Sequence, residues 1–429
     1  MTMSVRFDLN GESVDVESRE DESLLEVLRD RCGVRSCKDG CSPQGQCGCC
    51  LAIVGGKAVV TCASKASKAE GKDVVTLEGL PDEERERLAN AFAATARECR
   101  AVRDGVGINE IHNFGKYRVT GPMARDWLDH IMAGRIPKPG RLSLTPMLSP
   151  SGRIIGDFTV ACLAEEEFRL TASYGAQAYH SRWFDQNMKN GVEVTNISDR
   201  MNGFQLAGPK AREVLQACTR TDISDMKFLD VRPLTLGLLE VIVQRVSYTG
   251  DLGYEIYCDP LEQRTLWDLL WSAGQPMGMK PFGMRAMMSL RLDRHFGSWL
   301  REYSPDYTPA ETGLDRFIAW TKPADFIGRA AAEKARATGP ARQLCMFEIE
   351  AEDADVKGYE PLWLGDEVVG YCTSGGFSHH LGKSMAHAFV PTDRIEPGLE
   401  AEIEVLGVRR KARRIDTPLF DADGARMRG

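Results

Sequence analysis

The sequence of 429 residues lacks several features that would assign it to a broad class of protein. It has no run of about 18 apolar residues, so nothing in it predicts a membrane-spanning helix. It has no excess of positive charge, because it contains 54 lysine and arginine residues but 62 aspartate and glutamate residues. The resulting net charge of −8 does not support nucleic-acid binding. The first residues contain no apolar core of signal-peptide length, so we expect a cytoplasmic protein.

A glycine-rich dinucleotide-binding fingerprint is also missing. Gly105-Val-Gly107 lacks the third glycine and the preceding strand that such a motif requires. The sequence therefore predicts no FAD or NAD site of its own, and it contains no internal repeat. Its length predicts two to four domains, and 43% apolar with 27% charged residues is typical of a globular protein.

Cysteine is plentiful, and four of the 13 cysteines are spaced C-x5-C-x2-C-x11-C in a glycine-punctuated stretch. The four residues are Cys41, Cys47, Cys50 and Cys62. Thiolates at such a spacing bind both irons of a [2Fe–2S] cluster, and glycines let backbone N–H groups approach its sulfides. The alternatives are a zinc site, which usually has two CxxC pairs where only one is clear here, or a disulfide knot. We expect a [2Fe–2S] cluster bound by these four thiolates.

Residues 1–80 are predicted to form a small α+β unit, with a hairpin at Gly11, a helix over residues 24–31 and short strands after the cysteine loop. The segment resembles the plant-type ferredoxin domain at the start of molybdenum hydroxylases, which implies a β-grasp fold and one-electron transfer. Residues 81–99 resemble the first helix of the domain that follows in the hydroxylases. The ligands of a second cluster are missing there, and Cys37, Cys49 and Cys99 match no ligand position.

From about residue 100 onward, a series of segments resembles the folate-binding T-protein (aminomethyltransferase) of the glycine cleavage system, and still more closely the folate-binding half of dimethylglycine and sarcosine dehydrogenases. The matching segments, in family order, include residues 146–157, 206–209, 247–255, 289–292, 322–328 and 373–376. The resemblance implies a folate-binding α/β domain over residues 100–338 and a C-terminal β-barrel over residues 339–429. The predicted fold class is therefore a multidomain α+β protein: a β-grasp ferredoxin, a T-protein-like α/β body and a barrel.

Three residues in these segments are expected, from the resemblance, to contact tetrahydrofolate. Glu255 is expected to accept two hydrogen bonds from the pterin ring N–H and its exocyclic amine, with Tyr254 beginning the strand placed against the ring. Arg291 is expected to hold a carboxylate of the folate tail or of the substrate. The alternatives are a surface glutamate in a hairpin for Glu255, and a structural ion pair with Asp293 or Glu255 for Arg291.

Asp157 is the predicted catalytic residue. It begins an apolar strand, where a carboxylate needs a partner or a purpose. The T-protein has an acidic pair at this place, whereas this chain has Gly156-Asp157. We expect Asp157 to stabilise a cationic iminium or to manage the N10 proton of folate. A strand-edge aspartate that caps the turn at Gly152 is the alternative.

These features favour an iron–sulfur and tetrahydrofolate-binding component of an oxidative N-demethylase. A flavin-dependent dehydrogenase or oxidase subunit would oxidise a small N-methylated amine, and this chain would pass the one-carbon unit to tetrahydrofolate. The product would be 5,10-methylenetetrahydrofolate, and the cluster would relay electrons from the flavin. The first alternative is a self-contained folate-dependent methyltransferase or demethylase with a structural or regulatory cluster. The second is a non-catalytic electron carrier or a folate-binding iron–sulfur maintenance protein.

Overall fold

A computed structural model describes residues 2–38, 50–351 and 354–429, without the side chains of residues 82 and 85–92. The chain divides into two compact units, residues 1–94 and residues 95–429. Over the described ranges, no helix is long and apolar enough to cross a membrane.

The first unit is built on a five-stranded sheet. Its strands are β1 (Thr2–Leu9), β2 (Glu12–Arg19), β3 (Leu51–Val54), β4 (Lys57–Val60) and β5 (Asp73–Val75). The spatial order is β2-β1-β5-β3-β4, in which β1 and β5 run parallel and the other neighbours run antiparallel. Asn10 and Gly11 both have positive φ, which fits the tight turn between β1 and β2.

One short helix covers this sheet. Helix α1 (Leu24–Glu26) begins at Ser23, which forms a capping box with Glu26, and it continues as a π-helical turn over Val27–Arg31. The buried leucines of this segment, including Leu28, pack in one core with the apolar residues of β1. The predicted helix over residues 24–31 is confirmed in position.

The second unit contains two sheets and a barrel. Sheet A consists of β7 (Phe114–Thr120), β8 (Arg141–Leu148), β9 (Ile154–Ala164), β10 (Glu167–Ser173) and β11 (Glu193–Asn196), in the order β11-β7-β10-β9-β8. Sheet B consists of β6 (Gly107–Glu110), β12 (Asn202–Ala207), β13 (Val231–Leu236), β14 (Leu239–Gln244), β15 (Gly253–Cys258) and β16 (Lys280–Pro281), in the order β13-β14-β15-β12-β6-β16.

The remaining helices are α2 (Asp82–Asp104), α3 (Ala124–Ile131), α4 (Gln177–Gln186), α5 (Ala211–Ala217), α6 (Gln263–Gly274), α7 (Met284–Leu292), α8 (Pro309–Thr312), α9 (Arg329–Thr338) and α10 (Ala425–Arg428). Apolar residues of α3 and α4 pack on one face of sheet A, and those of α5 and α6 pack on one face of sheet B. Because side chains alternate along a strand, each sheet also has a second face that these helices do not cover.

Six strands close into a barrel at the end of the chain. They are β17 (Arg342–Ile349), β18 (Pro361–Leu364), β19 (Glu367–Ser378), β20 (Lys383–Pro391), β21 (Glu400–Val405) and β22 (Val408–Ile415), in the order β17-β20-β19-β18-β21-β22. The predicted α/β body and C-terminal β-barrel are therefore confirmed.

Candidate active site

Four polar side chains form a row across the face of sheet B that points away from helices α5 and α6. This polar row consists of Asn109 on β6, Gln205 on β12, Glu255 on β15 and Gln244 on β14, which stand directly opposite one another in the strand register. Directly opposed residues of antiparallel strands share one face of the sheet. Their chain neighbours, such as Phe204 and Ile256, point the other way into the helix-covered core.

Glu255 lies at the centre of the polar row. The hydroxyl of Tyr257 donates a hydrogen bond of 2.8 Å to its Oε2, while Oε1 has no hydrogen-bond partner in the described part of the chain. Burial raises the pKa of Glu255 to about 7, although the Tyr257 hydrogen bond and the charge of Lys116 act against this rise. The carboxyl therefore has one oxygen available, and its charge state changes near neutral pH.

The face of sheet A that points away from helices α3 and α4 presents positive charge to this row. The ammonium of the buried Lys116 donates to the carbonyl oxygens of His112 and Phe114 at 2.9 and 3.2 Å, and burial lowers its pKa to about 8. The guanidinium of Arg169 lies 5.2 Å from the ring centre of Tyr257 on sheet B. These faces of the two sheets therefore oppose each other, with Lys116 close enough to act on the charge of Glu255, and we call the space between them the cleft.

Asp157 lies on the same face of sheet A as Lys116 and Arg169. It stands opposite Pro146 on β8 and shares a face with Ala161, which packs in an apolar cluster with Val231 of sheet B. Burial raises the pKa of Asp157 to about 7. No described residue forms an ion pair with it, so this carboxylate enters the cleft without a cation to balance its charge.

Two tyrosines lie within the electrostatic range of Asp157. Burial, with a smaller contribution from the Asp157 charge, raises the pKa of both Tyr248 and Tyr303. The hydroxyl of Tyr248 donates to the carbonyl oxygen of Gly297 at 2.8 Å, and the amide of Gly297 donates to the hydroxyl of Tyr303 at 3.3 Å. Both phenols therefore stay neutral and in place beside the carboxylate.

The structure explains why only one carboxylate occurs at this point. A Cβ atom on Gly156 would lie 2.5 Å from the ring of Phe158 and 2.7 Å from Nε2 of His180. His180 is itself buried, and its Nε2 lies 3.2 Å from the carbonyl oxygen of Ile155. No room is left for a second acidic side chain beside Asp157.

Arg291 has different partners from those we expected. Its guanidinium is 1% exposed and donates to Glu302 at 3.1 Å, to Ser374 Oγ at 2.7 Å and to the carbonyl oxygen of Phe296 at 2.8 Å. Burial alone would raise the pKa of Glu302, but the charge of Arg291 and further hydrogen bonds lower it to about 2. Nη1 pairs with Glu302 and Nη2 donates to Ser374, so both terminal nitrogens have partners within the protein, and the carboxylate-binding role of Arg291 stays a prediction.

The structure places the side chain of Tyr254 on the face of β15 opposite to that of Glu255. Its side chain is fully buried in the core between sheet B and its helices, and its hydroxyl accepts a hydrogen bond of 3.0 Å from Arg212. Successive residues of a strand point to opposite faces, so Tyr254 and Glu255 cannot both face the cleft.

A buried ion network supports the loop before β15. Arg103 donates to Asp251, to the carbonyl oxygen of Thr249 at 2.8 Å and to Asp293 at 2.8 Å, and all three charged side chains are at most 1% exposed. Asp251 also pairs with Arg426 at 2.6 Å. The network connects four segments that are distant in sequence and holds the loop that precedes β15, the strand of Glu255.

Two of the four predicted cluster ligands fall within the described residues of the first unit. Cys50 and Cys62 are 1% and 8% exposed, and Thr61 donates to the carbonyl oxygen of Cys50 through its amide at 3.3 Å and its hydroxyl at 2.6 Å. The structure thus brings both thiols to the same end of the β3–β4 hairpin. Cys41 and Cys47 lie outside the described residues. Cys37 is buried in the same apolar core.

Sequence reasoning missed most of the polar row and its charged counterpart. The missed residues are Asn109, Lys116, Arg169, Gln205, Gln244 and Tyr257. A signal was present, because a lone glutamine between apolar residues, as in Phe204-Gln205-Leu206, is unusual on a strand that is buried on both faces.

Comparison with known proteins identifies related families for most of the chain. Residues 66–322 match the GCVT N-terminal domain, and residues 342–421 match the glycine cleavage T-protein C-terminal barrel domain. An aminomethyltransferase from a Geobacillus species is 30% identical over 332 residues, which cover 77% of this chain and 91% of that protein.

A second group of relatives is longer than this chain. Human mitochondrial dimethylglycine dehydrogenase is 37% identical over 347 residues, which cover 80% of this chain but only 40% of that protein. Among solved structures, the aminomethyltransferase of the Bartonella henselae glycine cleavage system superposes with a TM-score of 0.70 at 21% identity, covering 76% of this chain and 90% of that one. That likeness supports the fold of the second unit.

Proposed function

Because the chain belongs to the glycine cleavage T-protein family and is an enzyme of the folate-dependent aminomethyltransferase class, we propose that it transfers a one-carbon unit from a small N-methylated amine to tetrahydrofolate. The product is 5,10-methylenetetrahydrofolate. The observation that carries the proposal is a pair of carboxylates on the facing sides of two sheets, Asp157 on sheet A and Glu255 on sheet B, each with a pKa raised to about 7 by burial.

Glu255 binds the pterin ring in this proposal. Its free Oε1 and its Tyr257-bonded Oε2 can accept hydrogen bonds from the ring N–H and the exocyclic amine. A charged acceptor makes such bonds roughly twice as strong as neutral ones. The unpartnered polar atoms of the neighbouring glutamines also fit a polar ligand at this place.

Asp157 acts on the reacting groups in two ways, as an electrostatic stabiliser and as a base. The one-carbon unit arrives as a cationic iminium, whose carbon is attacked by N5 of tetrahydrofolate, and closure through N10 releases the amine and one proton. An ionised Asp157 stabilises the cation and accepts the N10 proton, and a pKa of about 7 suits a base that works near neutral pH. Tyr248 and Tyr303 form one side of this site with neutral phenol groups.

The first unit is proposed to be a β-grasp ferredoxin domain with a [2Fe–2S] cluster bound by Cys41, Cys47, Cys50 and Cys62. Its sheet order, with parallel β1 and β5 at the centre, is consistent with that fold. Cys50 and Cys62 fit the cluster, because both thiols are buried at one end of a hairpin. When bound, the cluster supplies transfer of one electron at a time.

A partner is required to oxidise the amine, since the sequence shows no flavin or nicotinamide site. We propose a flavin-dependent dehydrogenase or oxidase subunit, which forms the iminium and passes electrons to the cluster. The chain spans about 40% of human dimethylglycine dehydrogenase. That similarity supports both an N-methylated amine as the substrate and a flavoprotein as the partner. A cytoplasmic location stays a prediction.

Binding of tetrahydrofolate to the purified chain tests the folate half of the proposal. Anaerobic titration calorimetry should show one site per chain, and Asp157→Asn should leave that binding within a few-fold of wild type. Absence of any tetrahydrofolate binding by the wild-type chain would contradict the proposal.

Spectroscopy tests the iron–sulfur half. Protein purified without oxygen should contain two irons per chain and give a spin-resonance signal after one-electron reduction, as a [2Fe–2S] cluster does. Cys62→Ser should abolish or alter that signal, whereas Cys37→Ser, a buried cysteine of the same core, should keep it. An unchanged signal in Cys62→Ser would overturn the ligand assignment.

A further inference from the structure

The two glutamines that flank Glu255 contain buried polar atoms with no partner. Gln205 is 1% exposed and Gln244 is fully buried. Oε1 of Gln205 and both Oε1 and Nε2 of Gln244 have no hydrogen-bond partner among the described residues, and neither has Oδ1 of Asn109. Buried polar groups in native proteins are almost always hydrogen-bonded, so these amides need an explanation, and a half-turn about its last bond lets an amide present either its oxygen or its NH₂ group.

Folding alone does not explain them. An apolar side chain of similar size would avoid burying an unsatisfied amide at these positions and would stabilise the free protein. Gln216 on α5 shows the ordinary situation, since its Nε2 donates to the carbonyl oxygens of Thr219 and Thr221 at 3.3 and 3.0 Å, and its Oε1 accepts from the amide of Ile223 at 3.0 Å.

The arrangement of the row matches the edge of a pterin. Along that edge a reduced pterin presents the 4-oxo acceptor, the N3–H donor, the 2-amino donor and the N1 acceptor. Glu255 can accept from the two donors but has nothing to give to the acceptors. Gln205 and Gln244 stand directly on either side of it, and each has an NH₂ group that can donate.

The distances between strands allow this pairing. Neighbouring strands lie about 4.8 Å apart, so the three side chains span about 10 Å across the sheet. The flexible glutamine arms can turn inward toward a ligand centred on Glu255. No other polar side chains stand opposite Glu255 in the register of β12 and β14.

We propose that Gln205 and Gln244 are ligand-binding residues that hydrogen-bond the acceptor atoms on either side of the pterin donors held by Glu255, an inference that rests on the proposed folate-binding function. The two amides then recognise the 4-oxo, 2-amino pattern of the ring. A ring with an amino group in place of the 4-oxo group presents a donor where a glutamine NH₂ also donates, and its N3 carries no hydrogen for Glu255, so it binds less well.

The test compares folate binding with stability in the full chain. Tetrahydrofolate and its 4-amino analogue are titrated anaerobically into wild type, Gln244→Leu and Gln205→Met, and the melting temperature of each ligand-free protein is measured. Each variant should bind tetrahydrofolate roughly tenfold more weakly, with a melting temperature equal to or above that of wild type. At least one variant should also show a smaller preference for the 4-oxo ring, and the preference that remains is due to Glu255.

The matched control is Gln216→Leu, which removes satisfied hydrogen bonds on helix α5, outside the polar row. It should melt earlier and bind tetrahydrofolate as wild type does. Binding within twofold of wild type in both Gln244→Leu and Gln205→Met would overturn the inference and leave the proposed function intact. Failure of the wild-type chain to bind tetrahydrofolate would instead overturn the proposed function.

Discussion

The charge state of Glu255 should control how folate affinity depends on pH. Burial raises the pKa of this carboxyl from 4.5 to about 7 in the ligand-free protein. Only the ionised form accepts two hydrogen bonds from the pterin, so affinity should rise with pH and level off above about 7. At pH 6 roughly a tenth of the carboxyl is ionised, and affinity should be about tenfold below the plateau.

The same shift affects stability. The folded protein binds the Glu255 proton more tightly than the unfolded chain does, so this residue reduces the free energy of unfolding as pH rises from about 4.5 through about 7. At pH 8 the ionised carboxylate costs on the order of 3 kcal/mol. Glu255→Gln removes this cost, so the variant should be more stable than wild type at pH 8 by up to that amount, and similar to it at pH 4.

Titration calorimetry with tetrahydrofolate at pH 6, 7 and 8, with urea denaturation of the ligand-free proteins, measures both effects. Asp157→Asn is the background for the pH series, because Asp157 also has a pKa of about 7. Glu240→Gln, at an exposed position on the adjacent strand β14, is the control and should change neither quantity. An affinity of Asp157→Asn that does not vary with pH, or Glu255→Gln binding as tightly as wild type at pH 8, would refute the reasoning.

Three further substitutions test the rest of the site. Asp157→Asn should slow one-carbon transfer about 100-fold or more in single-turnover experiments, because the N10 proton loses its acceptor. Arg103→Met should lower the free energy of unfolding by about 3–5 kcal/mol in urea, because Asp293 loses its cation while buried; a variant as stable as wild type would contradict this. Gly156→Ala should lower the melting temperature, since its Cβ would meet the Phe158 ring at 2.5 Å; an unchanged value would show that the site can relax.

Much of the second unit could be predicted from the sequence. The predicted α/β body corresponds to sheets A and B with their helices, and the predicted C-terminal barrel corresponds to strands β17 to β22. Both carboxylates of the cleft were found from sequence as well. Asp157 was recognisable because burying an unpaired charge at the start of an apolar strand destabilises the fold, so such a residue indicates a function.

Other residues could not be placed without the fold. The partners of Arg291 come from the loop at Glu302 and from the barrel strand at Ser374, so its burial depends on how distant segments pack. The polar row needs the register of four strands, which one sequence does not give. Tyr254 is the exception, because the alternation of β15 already excludes it from the face of Glu255.

The fate of the methyl carbon tests the central claim most directly. The full chain, purified without oxygen together with its flavoprotein partner, is given tetrahydrofolate and an amine whose N-methyl group is labelled with carbon-13, and the folate product is examined by NMR. Our account predicts label in a methylene bridge between N5 and N10, and loss of that label when Asp157 is replaced by Asn. Label in a methyl group on N5, or only in free formaldehyde with unlabelled folate, would contradict it.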